Sequence, residues 1–173
     1  ATLPSGGSSA GWFVLRFSDH QGVRMPEDGP RTMARALMSA IDDAAERVDL
    51  AADDIWSIPG LSRTIQDAGR RGLRVRGLLH PQMQWQRMSW PNTELRFKHG
   101  PRGIVILDDS AVWVSSLPVR RSSLGAEYDV GYSLLIRDDA IASAFAQRFQ
   151  RLWAGGAPGT DPPFIGRMGD GTQ

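Results

Sequence analysis

Arginine aside, few side chains in this 173-residue chain stand out as able to attack phosphorus or hold a phosphate oxygen: three histidines, a single lysine and some serines. Cysteine is absent, which excludes thiol nucleophiles, disulfides, Cys-ligated zinc and iron–sulfur clusters. Lys98 and His99 are adjacent, so a nucleophile and a phosphate clamp can come from one loop. His80 closes a strand candidate ahead of Pro81, where α/β proteins often bind ligands, whereas His20 sits in a Gly/Pro loop. The histidines are too scattered for a His-x-x-x-His pair, and the reading expects no metal and no cofactor. Asp53-Asp54, Asp108-Asp109 and Asp138-Asp139 fall at strand ends or a helix start, where turns and caps account for them. Neither a P-loop nor a Gly-x-Gly-x-x-Gly turn is present to cradle phosphate.

Twenty basic residues face nineteen acidic ones, and the net charge of +1 makes no general case for nucleic acid or an anionic membrane. Apart from Lys98 the basic residues are all arginine, the side chain suited to bidentate phosphate contacts. Arg70, Arg71, Arg74 and Arg76 straddle a helix end and a strand, where the helix dipole and a solvated face explain them. Arg120-Arg121 follows Ser115-Ser116 and is more open to an anion-binding role. Trp85 and Trp90 lie in a loop with two methionines and either line a ligand or partner surface or cover the core.

The elements that must position these residues follow from hydropathy. Residues 12–17 form a short strand candidate. Met33, Ala36, Leu37, Ala40, Ile41, Ala44 and Val48 recur at three- and four-residue steps, one face of a helix. A strand over 48–55, a helix over 61–71 stopped by Gly72, and a strand over 73–79 complete a βαβαβ order. Short strands follow at 93–97, 104–107, 112–115 and 128–136, with Asp108-Asp109-Ser110 as a hairpin turn. Asp138-Asp139 caps a last helix bearing Ile141, Phe145, Phe149, Leu152 and Trp153 on its apolar side. The expected fold class is α/β, with a mixed, mostly parallel sheet flanked by helices. Residues 1–10, rich in Gly and Ser, are expected to be a disordered linker, 11–154 the domain, and 155–173 an irregular Gly/Pro-rich tail. No apolar run approaches the ~20 residues of a membrane helix, and a cytoplasmic protein is expected.

The phrases LMSAIDDAAERVDLAADDI, AGRRGLRVRGLL, GIVILDDSAVWVSS, AEYDVGYSLLIRDD and FAQRFQRLW, in that order, resemble the phospholipase D-like superfamily. The resemblance spans about residues 31–153. It implies a His-x-Lys-x4-Asp motif, a Gly-Ser pair after the next strand and a downstream Glu. With Asp108 as the motif aspartate, the histidine position holds Pro101 and the lysine position Gly103. Proline cannot attack phosphorus, and glycine cannot neutralise a phosphate. Ser115-Ser116 stands for the Gly-Ser pair and Glu127 for the downstream Glu, with Asp129 close by. His99 is two residues ahead of its expected place, a slip of ~7 Å in a strand, which attack geometry does not tolerate without rearrangement.

Two function classes follow. The first is a non-catalytic phospholipase D-like domain, similar to those appended to TrmB-type transcription regulators. It would work as a ligand-sensing or dimerisation module, with Arg102, Asp108, Ser115, Ser116, Arg120 and Glu127 around the ligand. The resemblance implies a homodimer, a small anionic or sugar ligand or a protein partner, and DNA contact only through a domain not evident in this chain. The second is a small homodimeric, metal-independent phosphodiesterase in which His99 and Lys98 supply displaced catalytic groups. A closed interaction scaffold is a third, distinguished by the absence of a pocket near Ser115, Ser116 and Glu127.

Overall fold

A sheet of eight strands in the order β1-β2-β8-β7-β6-β3-β4-β5 organises the chain. The computed structural model describes residues 8–10, 12–17, 32–86, 89–120, 124 and 131–156. The strands are β1 (Ser8–Ala10), β2 (Phe13–Phe17), β3 (Arg47–Ala52), β4 (Arg74–Leu79), β5 (Thr93–Phe97), β6 (Ile104–Leu107), β7 (Ala111–Ser115) and β8 (Tyr132–Arg137). The helices are α1 (Thr32–Asp42), α2 (Leu61–Arg70) and α3 (Asp139–Trp153), with a 3-10 turn over Pro81–Gln86.

The sheet is mixed, as the element order implies, but parallel pairing is confined to β3–β4 and β4–β5. All other neighbours are antiparallel, so the expected parallel majority is corrected. The reason is the hairpin. The short link between β6 and β7 forces an antiparallel pair, β6 lies antiparallel against β3, and β8 and β2 continue that alternation. A second correction concerns residues 1–10, since Ser8–Ala10 pairs with β2 and extends the sheet into the stretch assigned to a linker. The strand expected over 48–55 ends at Ala52, because the chain turns at Asp54, whose carboxylate accepts from the Trp56 and Ser57 N–H groups.

Each face of the sheet carries its own core. Helices α1 and α2 lay Leu37, Ile41, Leu61 and Ile65 over Val48, Leu50, Val75, Val105 and Trp113. Helix α3, started by Asp138 accepting from the Ile141 N–H at 2.9 Å, lays Phe149, Leu152 and Trp153 over Ala51, Leu78, Ile106 and Val112. The α3 face also buries charge. Asp49, 0% exposed, sits beside Arg76 in register and accepts from its Nε and Nη2, both at 2.7 Å. The Arg76 guanidinium lies 5.2 Å from both the Phe149 and the Trp153 ring, while Arg96 stacks 4.2 Å from Trp153 and donates to its carbonyl. Arg76 is thereby held above its ordinary pKa, chiefly by the hydrogen bonds to Asp49. Among the described residues no helix is long and apolar enough to cross a membrane.

Candidate functional site

The strand directions bring six chain segments to one edge of the sheet. Strands β3, β4, β5 and β7 end there and β6 and β8 begin there. Across the sheet the edge therefore reads Tyr132, Ser115-Ser116, Arg102-Gly103, Asp53, His80 and Lys98-His99. This end collects nearly every described residue that the sequence marks for chemistry.

Asp53 and Arg102 occupy its middle. Asp53 is only 6% exposed, just past the end of β3, and Arg102 Nε lies 2.7 Å from its Oδ1. The contact is an ion pair rather than a well-directed hydrogen bond, and neither Asp53 oxygen has a hydrogen-bond partner. A buried carboxylate left in that condition holds the nearest cation strongly. Arg102, expected to meet a ligand, is thus shared with an internal acid that the sequence reading assigned to a turn.

Gly103, at the lysine position of the motif, has φ +82°. Its N–H donates to Ala51 O and its carbonyl accepts from the Ser115 N–H, both at 2.9 Å. A Cβ there would stand 2.8 Å from the Leu117 carbonyl oxygen and 3.1 Å from that of Ser115. Only glycine adopts this backbone without strain, and no side chain fits the space.

The serines knit strand ends together. Ser115 Oγ donates to Tyr132 O at 3.3 Å and accepts from the Leu117 N–H. Ser116 Oγ donates to the same carbonyl at 3.3 Å and accepts from the Tyr132 N–H at 2.9 Å. A hydroxyl has one proton, so in this arrangement neither serine has a donor left for an anion. Arg120 follows on the same turn, which is fastened to the Asp53 segment by the Asp54 N–H on Val119 O.

His80 and His99 are brought together by the parallel pairing of β4 with β5, their ring centroids 5.3 Å apart at 84°. His80 Nδ1 accepts from the Gln82 N–H at 3.3 Å, which in the neutral ring puts the proton on Nε2. Lys98 is anchored by its own N–H on Leu79 O. Burial, followed by the charge of Arg96, holds its ammonium below the usual lysine pKa. His80 is three inter-strand steps from the serines and Lys98-His99 four, or about 14 and 19 Å, too far for both groups to grip one phosphate.

Asp108 does not join this edge. It lies at the far end of β6, where its carboxylate accepts from the Ala45, Glu46 and Arg47 N–H groups at 2.8–2.9 Å. Burial alone would raise its pKa; those three donors and the Arg47 charge outweigh that and hold it below the usual carboxylate value. Its expected place among ligand contacts is therefore corrected, since the whole length of β6 separates it from Arg102. Three of the four clustered arginines are paired within the chain: Arg70 with Asp67 and Arg71 with Asp42 at the surface, and Arg76 with buried Asp49, while Arg74 is exposed. Trp90 is a buried core residue near Trp56, whereas Trp85 stands 73% exposed on the 3-10 turn that follows His80. Glu127, Asp129, Arg121 and His20 lie outside the described residues. Among those described, no group of three His, Asp or Glu is placed to hold a metal ion.

Solved structures define the class: the fold is phospholipase D-like. NucT from Helicobacter pylori matches with a TM-score of 0.66 at 17% identity, over 82% of this chain and 95% of that one. The phospholipase D family member Nuc from Salmonella typhimurium matches at 0.61 and 17%, over 84% and 95%. TrmBL2, an archaeal chromatin protein, matches at 0.57 and 17%, over 81% of this chain and 52% of that one. No protein-family model and no curated protein sequence matches.

Proposed function

We propose that this chain is a non-catalytic phospholipase D-like domain that binds a small anion at the described edge and serves as the sensing or dimerisation module of a transcription regulator. One observation carries the reading: Gly103 holds the lysine position in a backbone that admits no side chain. With Pro101 at the histidine position, the edge lacks the nucleophile and the cation a phosphodiesterase needs there. What it offers is binding chemistry, namely Lys98, His80 Nε2–H and Arg102. The structural likeness to TrmBL2, a protein whose description includes DNA binding, supports the regulator context. The resemblance to the phospholipase D-like superfamily, whose single-motif members pair their motifs across a two-fold axis, supports a homodimer.

A second reading has its own support in the contact between His80 and His99. His99 would attack phosphorus, forming an N–P bond as the P–O bond to the leaving alkoxide breaks, and His80 Nε2 would hand that alkoxide its proton. Hydrolysis of bis-p-nitrophenyl phosphate, with and without EDTA and beside His99→Ala, separates the two. The proposal expects no turnover above background in any arm. Metal-independent turnover that disappears in His99→Ala overturns it. Light scattering at several concentrations checks the dimer, which a monomer throughout would refute.

A further inference from the structure

The link from β5 to β6, residues 98–103, carries Lys98, His99 and Arg102, whereas His80 belongs to the sheet beneath it. Strands β5 and β6 are not neighbours. Both β4 and β3 lie between them, so the link crosses the ends of those strands, three inter-strand steps or about 14 Å. An extended chain from Phe97 to Ile104 spans about 23 Å, so the link has slack. It is pinned where it leaves the sheet: the Lys98 N–H donates to Leu79 O and the Gly103 N–H to Ala51 O, both at 2.9 Å. Between these pins, residues 99–102 make no backbone hydrogen bond among the described residues. Two side-chain contacts hold the middle down: Arg102 lies on Asp53, and His99 meets His80 edge to face.

Strand register sets the floor. Ala52 is opposite Leu79 and Leu79 opposite Phe97, so Asp53, His80 and Lys98 follow as one row, each about 4.8 Å from the next. His80 is thus one step from the acid that holds Arg102, and its ring touches that of His99. Its Nε2–H is fixed to the sheet, while the donors of Arg102 and His99 ride on the link. A tetrahedral oxyanion presents acceptors on every side, so one anion on His80 ties both link side chains to the sheet. We propose that residues 98–103 form a strap that such an anion clamps across the ends of β3 and β4, with His80 as the fixed point and Arg102 and His99 as the moving ones. The inference rests on the anion site proposed above and adds its response: binding the anion and ordering the strap are one event, which gives a sensing domain two distinguishable surfaces. Arg102 keeps its Nε on Asp53 while its Nη groups take the anion, so the buried acid is never left without a cation.

The chain has no cysteine, so one thiol placed on the strap is a unique reporter. Gly100 suits it, because a Cβ there meets nothing within 4 Å. A nitroxide on Gly100→Cys is followed by electron spin resonance as inorganic phosphate is added, with calorimetry in parallel and chloride at matched ionic strength as the control. Phosphate is expected to slow the label saturably, and chloride to leave it mobile. His80→Ala should abolish the slowing, and Asp53→Asn should free the label before phosphate is added. In unlabelled wild-type protein, backbone order parameters at His99, Gly100 and Arg102 should rise from about 0.6 to about 0.85 with phosphate. Heat of binding without a change in label mobility or order parameters overturns the strap and leaves the anion site standing. Neither heat nor slowing overturns both. Slowing that survives in His80→Ala, slowing that chloride reproduces, or a label no freer in Asp53→Asn also overturns the strap.

Discussion

The two ends of strand β6 solve opposite problems. At the Asp108 end the charges are matched: the carboxylate takes three backbone N–H donors, and Arg47, although its Nε makes no directed hydrogen bond, bridges Asp109 to Asp49. At the Gly103 end a buried carboxylate lacks directed hydrogen bonds, Arg102 is half committed, and Lys98 is partly desolvated. The first arrangement holds loops in register, whereas the second leaves polar groups incompletely matched, which is where the proposed anion site lies. Of the His-x-Lys-x4-Asp pattern, what survives here is the member whose work is structural.

The largest effect that would test this contrast is at Asp108. Asp108→Ala removes three hydrogen bonds and puts alanine at φ +54°, and should cost about 3 kcal/mol in urea unfolding. Phosphate binding at the other end should be unaffected, and a parallel loss of both would erase the distinction. Because the folded pKa of Asp108 is depressed, its contribution is complete above the unfolded value and disappears as pH falls through the folded one. Wild-type stability should therefore fall below about pH 4, and Asp108→Asn should flatten that part of the profile.

Next in size is Gly103→Lys, expected to cost about 2 kcal/mol from its positive φ, besides the contact with the Leu117 carbonyl. The double variant Pro101→His with Gly103→Lys should show no phosphodiesterase activity; turnover would mean the edge is poised for chemistry after all. Asp53→Asn releases Arg102 and should tighten inorganic phosphate binding about tenfold by calorimetry. An unchanged affinity would remove Arg102 from the site. The smallest effect is His99→Ala, which should move stability by less than about 0.5 kcal/mol while weakening phosphate binding.

Much of this was legible in the sequence where the signal is local. The three- and four-residue spacing of Met33, Leu37, Ala40 and Ile41 marks α1, although the helix stops at Asp42, short of Ala44 and Val48, Asp138 announces the start of α3, and Asp108-Asp109 marks the hairpin. Features that need strand order were out of reach. Asp49 and Arg76 are 27 residues apart and meet only because β3 and β4 are in parallel register. His80 and His99 meet for the same reason, through β4 and β5. The role of Asp53 was obscured by Asp54: the pair reads as one turn signal, and only its second member makes the turn. The parallel majority failed because a βαβαβ start says nothing about which flank the later hairpin strands join.

The conformation at Gly103 also bears on how reversible such a site is over evolutionary time. A lysine there is disfavoured until the 115–117 turn moves, and that turn is held by serine bonds to Tyr132 which serve the sheet as a whole. Neither change is useful without the other. On the reading proposed above, single substitutions towards the motif meet a ratchet at this position, because the side chain and the turn must change together.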